Sequence, residues 1–218
     1  MKIHEYKGKD ITIFYDLHRC IHAAECVHGA SSVFNPEAKP WITPEKAPAG
    51  EIATIIQRCP TGALHYQAAD PALAERTEPS NIVTTSPNGP LYLRGNITVI
   101  TTDGREILSD SRLALCRCGA SKRKPLCDNS HLDAGFADSG MAQPEEEAEK
   151  DMAAGGKLMV NPRTNGPLHL KGRVTIKNAG GTVIFEGTET WLCRCGASAS
   201  KPFCDGTHKR IGFKSEEA

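Results

Sequence analysis

The chain has 218 residues, of which 39% are hydrophobic and 24% charged, a composition typical of globular proteins. Its 26 basic and 26 acidic residues cancel, which argues against a protein built to bind nucleic acid or an anionic membrane surface. No apolar run approaches the length of a membrane span, and the opening MKIHEYKGKD has no apolar core of a secretion signal, so we expect a cytoplasmic protein that binds no membrane.

The cysteines are the most informative residue type in this chain. There are nine of them, and an odd number without a secretion signal indicates thiols that bind metal rather than a disulfide framework. They fall into three groups of three: Cys20, Cys26 and Cys59; Cys116, Cys118 and Cys127; Cys193, Cys195 and Cys204. This grouping predicts three metal-binding modules.

The first group lies in a segment, residues 1–78, that has no counterpart later in the chain. Ile11–Tyr15 predicts a strand, Glu51–Gln57 has helical periodicity, and Leu64–Tyr66 predicts a closing strand. These elements predict a small domain of mixed secondary structure.

The cysteines of this segment resemble those of the divergent single-cluster ferredoxins, whose usual pattern is C-x2-C-x2-C with a remote Cys-Pro. Laid on this chain, the pattern begins at Cys20, passes through Ala23 and Cys26, and ends at Cys59-Pro60. The resemblance implies a ferredoxin-like α/β domain that holds one cluster. Ala23 departs from the pattern, because alanine cannot bind iron.

The vacancy at Ala23 affects which cluster is expected. Three thiolates hold three irons of a cuboidal cluster, so we favour a 3Fe-4S cluster. The alternative is a 4Fe-4S cluster whose fourth iron is bound by His22, by Glu25 or by solvent. A further alternative is three thiols that bind no cluster.

The rest of the chain contains an internal repeat. At an offset of 77, residues 88–136 align with residues 165–213 without a gap, and 23 of the 49 pairs are identical. We therefore assign residues 79–136 and 161–218 to two domains of one fold. Residues 137–160 between them hold two lysines and six acidic residues, which indicates an acidic linker.

Each repeat has β-branched runs bounded by Gly and Asp turns. These runs predict three short strands per repeat: Leu91–Ile100, Ile107 onward and Leu113–Leu115 in the first; Leu168–Lys177, Val183–Phe185 and Thr190–Leu192 in the second. One repeat is too short to bury a good core alone, so we expect the two to pack as a pseudo-two-fold pair.

Both repeats carry the motif C-x-C-x8-C-x3-H. Its members are Cys116, Cys118, Cys127 and His131 in the first repeat and Cys193, Cys195, Cys204 and His208 in the second. Three thiolates and one imidazole form a complete four-ligand set, and the C-x3-H spacing puts the last two on one face of a helical turn. Asp128 and Asp205 are expected to cap that turn. The spacing alone leaves zinc and an iron–sulfur cluster open.

The segments CRCGASKRKPLCDNSH and CRCGASASKPFCDGTH resemble the signature of the CDGSH iron–sulfur family, which is related to mitoNEET. The second copy meets every marked position, and the first has Asn129 where glycine is usual. Asparagine is the next-best residue for positive φ, so we expect the loop to be retained. The resemblance implies a β-rich cradle and a 2Fe-2S cluster in each repeat, held by the three cysteines and the histidine.

Together these patterns predict an α+β protein: a small ferredoxin-like α/β domain followed by a β-rich, pseudo-two-fold tandem CDGSH unit. We expect a monomer with an internal pseudo-dimer, without enzymatic activity, that transfers electrons to a redox partner protein. Labile histidine-ligated clusters also suit cluster transfer to an apo-acceptor, or redox and pH sensing. A zinc-stabilised interaction module is the less favoured alternative.

Four basic residues lie near the predicted ligands in sequence: Arg117, Lys124, Arg194 and Lys201. We expect their side chains to be solvated. The alternative is that they form hydrogen bonds to the sulfides or tune the reduction potential.

Overall fold

A computed structural model describes residues 3–144 and 155–215 of the chain. Strands dominate within these ranges and the helices are short, so the architecture is α+β and β-rich. The chain divides into two compact units, one ending at Arg76 and the other beginning at Thr77.

The first unit is built on a three-stranded antiparallel sheet. Strand β1 (Ile3–Lys7) pairs with one edge of β2 (Ile11–Asp16), and β3 (Leu64–Ala68) pairs with the other edge. Strand β2 buries Ile11 and Ile13 through the two-residue period of a half-buried strand. The sequence predicts β2 and β3 but not β1, because the edge strand is largely polar and exposed.

Two helices lie between β2 and β3. The short helix α1 (Glu25–Gly29) carries Cys26, and α2 (Ala49–Ile56) follows a turn that ends in Pro48. Helix α2 buries Ile52 and Ile56 in the core that it shares with the sheet. It confirms the predicted helix, although it begins two residues earlier.

Each repeat of the second unit contributes one long hairpin. Strand β5 (Leu91–Ile100) pairs with β6 (Glu106–Leu115), and β8 (Leu168–Lys177) pairs with β9 (Val183–Leu192). Leucine, isoleucine and valine side chains of both hairpins fill a single core.

A short strand precedes each hairpin and joins the two hairpins. Strand β4 (Ile82–Thr85) is antiparallel to β5 of its own repeat and parallel to β8 of the other. Strand β7 (Leu158–Pro162) is antiparallel to β8 and parallel to β5. The pairing pattern is therefore the same for both repeats, and neither hairpin completes its sheet without a strand of the other.

Glycines make room where the short strands cross the hairpins. Gly95 has a φ of +136°, and a Cβ there would overlap the Asn81 side chain. Asn81 uses that space to join three segments: Nδ2 donates to the carbonyls of Gly156 and Arg173 at 3.1 and 2.9 Å, and Oδ1 accepts from Asn96 N at 2.8 Å.

The prediction of three short strands in each repeat is wrong. Strand β6 runs without interruption from Glu106 to Leu115, and β9 likewise merges the second and third runs of its repeat. The polar residues Ser109 and Asp110, which suggest a break, pair with Thr98 and Ile97 across the hairpin and so continue the strand. The third strand of each repeat is instead β4 or β7, which lies before the Gly-Pro turn.

The segment between the repeats is described only in part. Residues 145–154, which hold five of the six acidic residues of the predicted linker, lie outside the described residues. Strand β7 begins at Leu158, two residues before the boundary drawn at residue 160.

Candidate metal centres

The four predicted ligands of the first repeat lie at the open end of the β5–β6 hairpin. Cys116 and Cys118 directly follow β6, and His131 lies in α3 (Ser130–Asp133), the turn after Cys127. The sulfurs of Cys116 and Cys118 are 3.6 Å apart, and Cys127 Sγ is 3.5 Å from His131 Nδ1. The ligands therefore form two close pairs.

The second repeat has the same arrangement. Cys193 and Cys195 follow β9, with their sulfurs 3.7 Å apart. Cys204 Sγ lies 3.3 Å from Nδ1 of His208, which belongs to α4 (Thr207–Arg210).

These distances fit metal coordination in pairs. Two thiolates about 2.3 Å from one tetrahedral metal lie about 3.8 Å apart, and a thiolate and an imidazole lie about 3.6 Å apart. No three His, Cys, Asp or Glu side chains within residues 3–144 and 155–215 surround one ion position. Donors in two pairs suit a cluster of two metal atoms with two protein ligands on each. The soft, mostly thiolate donor set suits iron–sulfur chemistry.

Backbone hydrogen bonds return the cysteine loop to the strand that it leaves. In the first repeat, Cys116 N donates to Pro125 O at 2.8 Å and Cys127 N donates to Ala114 O at 2.9 Å. The second repeat has the corresponding bonds from Cys193 and Cys204. The loop therefore brings its third cysteine beside the first two.

The aspartate after the third cysteine anchors the histidine turn. Asp128 Oδ1 accepts from Ser130 N at 3.0 Å and Oδ2 accepts from Lys122 N at 2.8 Å. Hydrogen bonds from the backbone of Ala199 and Thr207 hold the pKa of Asp205 well below its usual range. The aspartate thus ties the turn to the loop six residues earlier, a wider role than the predicted cap. The N-cap positions themselves are Asn129 and Gly206.

The substitution of asparagine for glycine preserves the loop, as expected. Asn129 has a φ of 71° and Gly206 a φ of 82°, so both occupy the left-handed region.

The two C-x-C loops lie directly against each other. A Cβ at Gly119 would lie 2.8 Å from Cys195 O, and one at Gly196 would lie 2.5 Å from Cys118 O. Both glycines have positive φ, 83° and 84°. These glycines are identical in both repeats but are not among the predicted site residues.

The expectation that the basic residues are solvated is wrong for both arginines. Arg117 and Arg194 are 2% and 1% exposed. Arg117 donates to the carbonyls of Gly89 and Ser86 and to the Asp138 carboxylate. Each guanidinium donates to backbone carbonyls of the Gly-Pro turn of its repeat, and these hydrogen bonds compensate for its burial.

The two lysines bind backbone oxygens rather than standing free in solvent. Lys124 Nζ donates to Ser121 O at 2.5 Å, and Lys201 Nζ donates to Ser198 O at 2.7 Å. In both repeats the serine hydroxyl also donates across the same loop, to Leu126 O or Phe203 O at 2.7 Å. The lysines therefore brace the cysteine loops.

The ligand thiols of the first repeat share protons unequally. The Cys118 thiol donates to the Cys116 sulfur, which lowers the pKa of Cys116 to about 6 and raises that of Cys118. Burial raises the pKa of Cys127 to about 11 and lowers the pKa of His131. Burial therefore favours a neutral imidazole, which is the form that binds metal.

The three cysteines of the first unit line one cavity of about 580 Å³. Burial, and then the nearby Cys59 and Cys20 thiols, raise the pKa of Cys26 to about 11. Ala23 lines the same cavity and is exposed to solvent. The structure thus brings the three predicted ligands together around a space that opens at the vacant position.

The backbone on either side of Ala23 is unusual. His22 and Ala24 both have positive φ, 54° and 63°, although neither is glycine. His22 and Glu25, the predicted alternative ligands, also line the cavity. Tyr15, which is not among the predicted site residues, also lines the cavity, and its pKa is raised by burial and by its hydrogen bond with Cys20.

Known protein families match each of these modules. The family described as "Divergent 4Fe-4S mono-cluster" matches residues 6–69. The family described as "Iron-binding zinc finger CDGSH type" matches residues 88–132 and again 165–209. The chain is therefore an iron–sulfur protein.

Two curated relatives resemble the first unit. "Uncharacterized protein YjdI" from Escherichia coli strain K12 and the same protein from strain O157:H7 are each 36% identical to this chain over 62 residues. The match covers 28% of this chain and 82% of each relative. In the described ranges, no helix is long and apolar enough to cross a membrane.

Proposed function

We propose that this chain, which belongs to the CDGSH-type iron-binding family and to the divergent 4Fe-4S mono-cluster family, transfers electrons through three iron–sulfur clusters. Its two repeats match the first family, and residues 6–69 match the second. Two are 2Fe-2S clusters, held by Cys116, Cys118, Cys127 and His131 and by Cys193, Cys195, Cys204 and His208. The third is held by Cys20, Cys26 and Cys59. Bound clusters of this kind accept and release single electrons.

The paired spacing of the donors is the observation that carries this proposal. In each repeat a Cys–Cys pair and a Cys–His pair have the separations that two ligands on one metal require, which supports a binuclear cluster over a single zinc ion. Nδ1 faces the cysteine sulfur in both repeats, so Nδ1 is the nitrogen that would bind iron, and the ring proton would then reside on Nε2. A neutral imidazole in place of a thiolate removes one negative charge and favours a higher reduction potential.

We propose a 3Fe-4S cluster for the first unit, which we take to be ferredoxin-like. Its three thiols supply one ligand to each of three irons, and Ala23 supplies none. The 4Fe-4S alternative agrees with the name of the matching family, and His22, Glu25 or solvent would then bind the fourth iron. The solvent exposure of Ala23 suits either a missing or a readily lost fourth iron.

The contact between the C-x-C loops suits electron exchange between the repeats. Gly119 packs against Cys195 and Gly196 packs against Cys118, so ligand-bearing backbones of the two sites touch. We propose that the repeats are related by a pseudo-two-fold axis through this contact. One chain supplies both halves, so we propose a monomer that serves a cytoplasmic redox partner.

Anaerobic purification followed by iron and sulfide assays tests the proposal. We expect about seven irons per chain, an absorption spectrum typical of iron–sulfur proteins, and an EPR signal of the oxidised 3Fe-4S type. A colourless protein that contains zinc and no sulfide would refute it. About eight irons, without the oxidised-state signal, would establish the 4Fe-4S alternative.

Two substitutions test the ligand assignment. His208→Cys should lower the midpoint potential of one cluster, by an amount on the order of 100 mV, and slow its loss in acid. Ala23→Cys should abolish the 3Fe-4S signal and give a stable 4Fe-4S cluster. The half-buried His169, outside both sites, provides the control His169→Cys, which should change neither cluster.

A second candidate function is cluster transfer or pH sensing. The observation that favours it is the partial exposure of Cys118 and Cys195, which leaves one ligand of each pair accessible to an acceptor. Incubation with an apo-ferredoxin at mildly acidic pH should then move iron and sulfide to the acceptor. Retention of all clusters under these conditions, together with continued redox cycling, would leave electron transfer as the function.

A further inference from the structure

A basic depression of about 680 Å³ lies between the two repeats. Three lysines line it: Lys122 and Lys124 from the loop after Cys118, and Lys214 from the second repeat. The other lining residues are neutral, and Ser121, Asn165 and Ser215 among them carry hydroxyl or amide groups. The lining thus has a formal charge of +3 and no carboxylate.

The equivalent surface on the other side of the repeat pair has no such charge. Shifting each lining residue by 77 positions replaces Lys122 with Ala199, Lys214 with Ala137 and Ser215 with Asp138, while Lys124 becomes Lys201. One lysine and one aspartate give that surface a formal charge of zero. The basic depression is therefore a property of one side only and does not follow from the fold.

A buried guanidinium adds to this positive charge. Arg194 is 1% exposed, and its Nη2 donates to Ser215 Oγ on the wall of the depression at 2.5 Å. Its Nη1 has no hydrogen-bond partner among the described residues. In the first repeat, Nη1 of Arg117 instead donates to the Asp138 carboxylate at 2.6 Å. The second repeat lacks the anion that the first repeat supplies from its own chain.

Among the described residues, Arg194 has no carboxylate partner and only the Cys116 sulfur as a nearby negative group, so an external anion in the depression would offset part of the cost of burying this cation. Lysine ammonium groups bind phosphate oxygens as point charges, and hydroxyl and amide groups add hydrogen bonds to the remaining oxygens. Lys124 keeps two N–H groups for a ligand after its bond to Ser121 O. Several convergent lysines suit a ligand with more than one negative charge.

From this asymmetry we propose that the depression lined by Lys122, Lys124, Lys214 and Ser215 binds the phosphate groups of a small phosphorylated molecule. Arg194 acts behind Ser215 as a positioning residue that keeps the wall positive. The site requires no iron–sulfur cluster, so it stands or fails independently of electron transfer.

Isothermal titration of the full iron-loaded chain with pyrophosphate tests the proposal directly. We expect saturable binding with one site per chain, weakened as the salt concentration rises. Inorganic phosphate and ADP serve as separate arms: tighter binding of ADP than of pyrophosphate identifies a nucleotide-type ligand, and the reverse order identifies the phosphate groups alone. The absence of saturable binding for all three would overturn the proposal.

The substitutions that test the site are taken from the equivalent positions of the other repeat. Lys122→Ala and Lys214→Ala each copy the equivalent residue and should weaken pyrophosphate binding about fivefold or more. Ser215→Asp gives Arg194 an internal carboxylate and should weaken binding about tenfold or more. Lys122 and Lys214 are exposed, so these two variants test the site even if Ser215→Asp lowers stability.

Lys171→Ala provides a control of equal charge, because Lys171 is exposed on β8 and does not line the depression. It should change the affinity less than about twofold. An equal loss in Lys171→Ala and Lys214→Ala would show only a general charge effect and overturn the proposal. Displacement of pyrophosphate by a short DNA duplex at lower concentration would also overturn it, in favour of a nucleic-acid surface.

Discussion

The first repeat pairs its buried Arg117 with the Asp138 carboxylate, whereas the second leaves the equivalent Arg194 against the Ser215 hydroxyl. The distances between the predicted ligands are nearly the same in the two repeats. The Cys–Cys separations are 3.6 and 3.7 Å, and the Cys–His separations are 3.5 and 3.3 Å. The spacing of the ligands therefore follows from the loop that both repeats share. The charge around the ligands is set by neighbours that differ between the repeats.

The loops that carry the predicted ligands form a framework that both repeats share. Residues in the loop bind each other through backbone and serine hydrogen bonds that recur in both copies. Residues outside the loop, such as Asp138 and Ser215, have diverged without moving the ligands. Each repeat is thus an internal control for substitutions in the other.

The largest effect is expected where the two repeats touch. In Gly196→Ala, the new Cβ would lie 2.5 Å from Cys118 O at a φ of 84°, so it would strain its own loop and push against the other. We expect a loss of about 3 kcal/mol in the free energy of unfolding, and less iron in both repeats. Urea unfolding and EPR of both clusters measure these effects.

Gly181 offers a matched control for this substitution. It has a φ of 85° with no atom within 4 Å of the added Cβ. Gly181→Ala should cost only about 1 kcal/mol and leave both clusters intact. Equal losses in the two variants would show that the contact between the loops contributes nothing.

The next effect concerns the arginine pair, and it tests the charge difference directly. Asp138→Ser copies the second repeat and leaves Arg117, 2% exposed, without its carboxylate. We expect a loss of about 3 kcal/mol in the free energy of unfolding, because a buried cation loses its partner. Chemical unfolding of the variant measures it.

The exposed Asp133 provides the control, and Asp133→Ser should change stability by less than about 0.5 kcal/mol. If Asp138→Ser were as mild as this control, the guanidinium would be stable on its carbonyl partners alone. The ion pair of the first repeat would then contribute no stability that the second repeat lacks.

A smaller effect is expected at the position that distinguishes the two CDGSH signatures. Gly206 occupies a φ of 82° with no atom near an added Cβ. Gly206→Ala should cost about 1–2 kcal/mol, whereas Gly206→Asn, which copies Asn129, should cost less than about 1 kcal/mol. Thermal unfolding ranks the variants. A larger loss for asparagine than for alanine would contradict the view that Asn129 is a conformational substitute for glycine.

The close pairing of the predicted ligands and the local turns could be predicted from sequence because both depend on residues close together in the chain. The spacing of Cys127 and His131 determines their pairing, and the left-handed conformation of Asn129 follows from its place in the motif. The exchange of β4 and β7 between hairpins could not be predicted. It depends on contacts between residues far apart, such as Asn81 with Gly156, that no local pattern encodes.

The burial of the arginines was missed for a related reason. In sequence, Arg117 and Arg194 are basic residues between cysteines, and such residues are usually solvated. Their carbonyl partners, Gly89 and Gly166, lie 28 residues earlier in the Gly-Pro turns. The Gly-Pro turn and the arginine are both identical in the two repeats, and this was the available signal. It does not reveal that the arginine contacts the turn.

The smallest effect concerns pH and the imidazole of the first repeat. Burial lowers the pKa of His131, so the unfolded chain takes up a proton at a higher pH than the folded chain does. In the chelator-treated, metal-free protein, the contribution of His131 to stability is therefore complete above about pH 6.5 and declines as the pH falls toward the lowered pKa. His131→Gln, which does not titrate, should flatten the fall of the melting temperature between about pH 7 and pH 5. Leu132→Ala, in the same turn, should keep the slope of the unaltered chain, since it removes no titrating group.

An unchanged slope in His131→Gln would mean that the ring is as well solvated in the folded state as in the unfolded one. Burial would then not be what holds this ligand neutral, and the first repeat would depend on bound metal to keep its imidazole deprotonated.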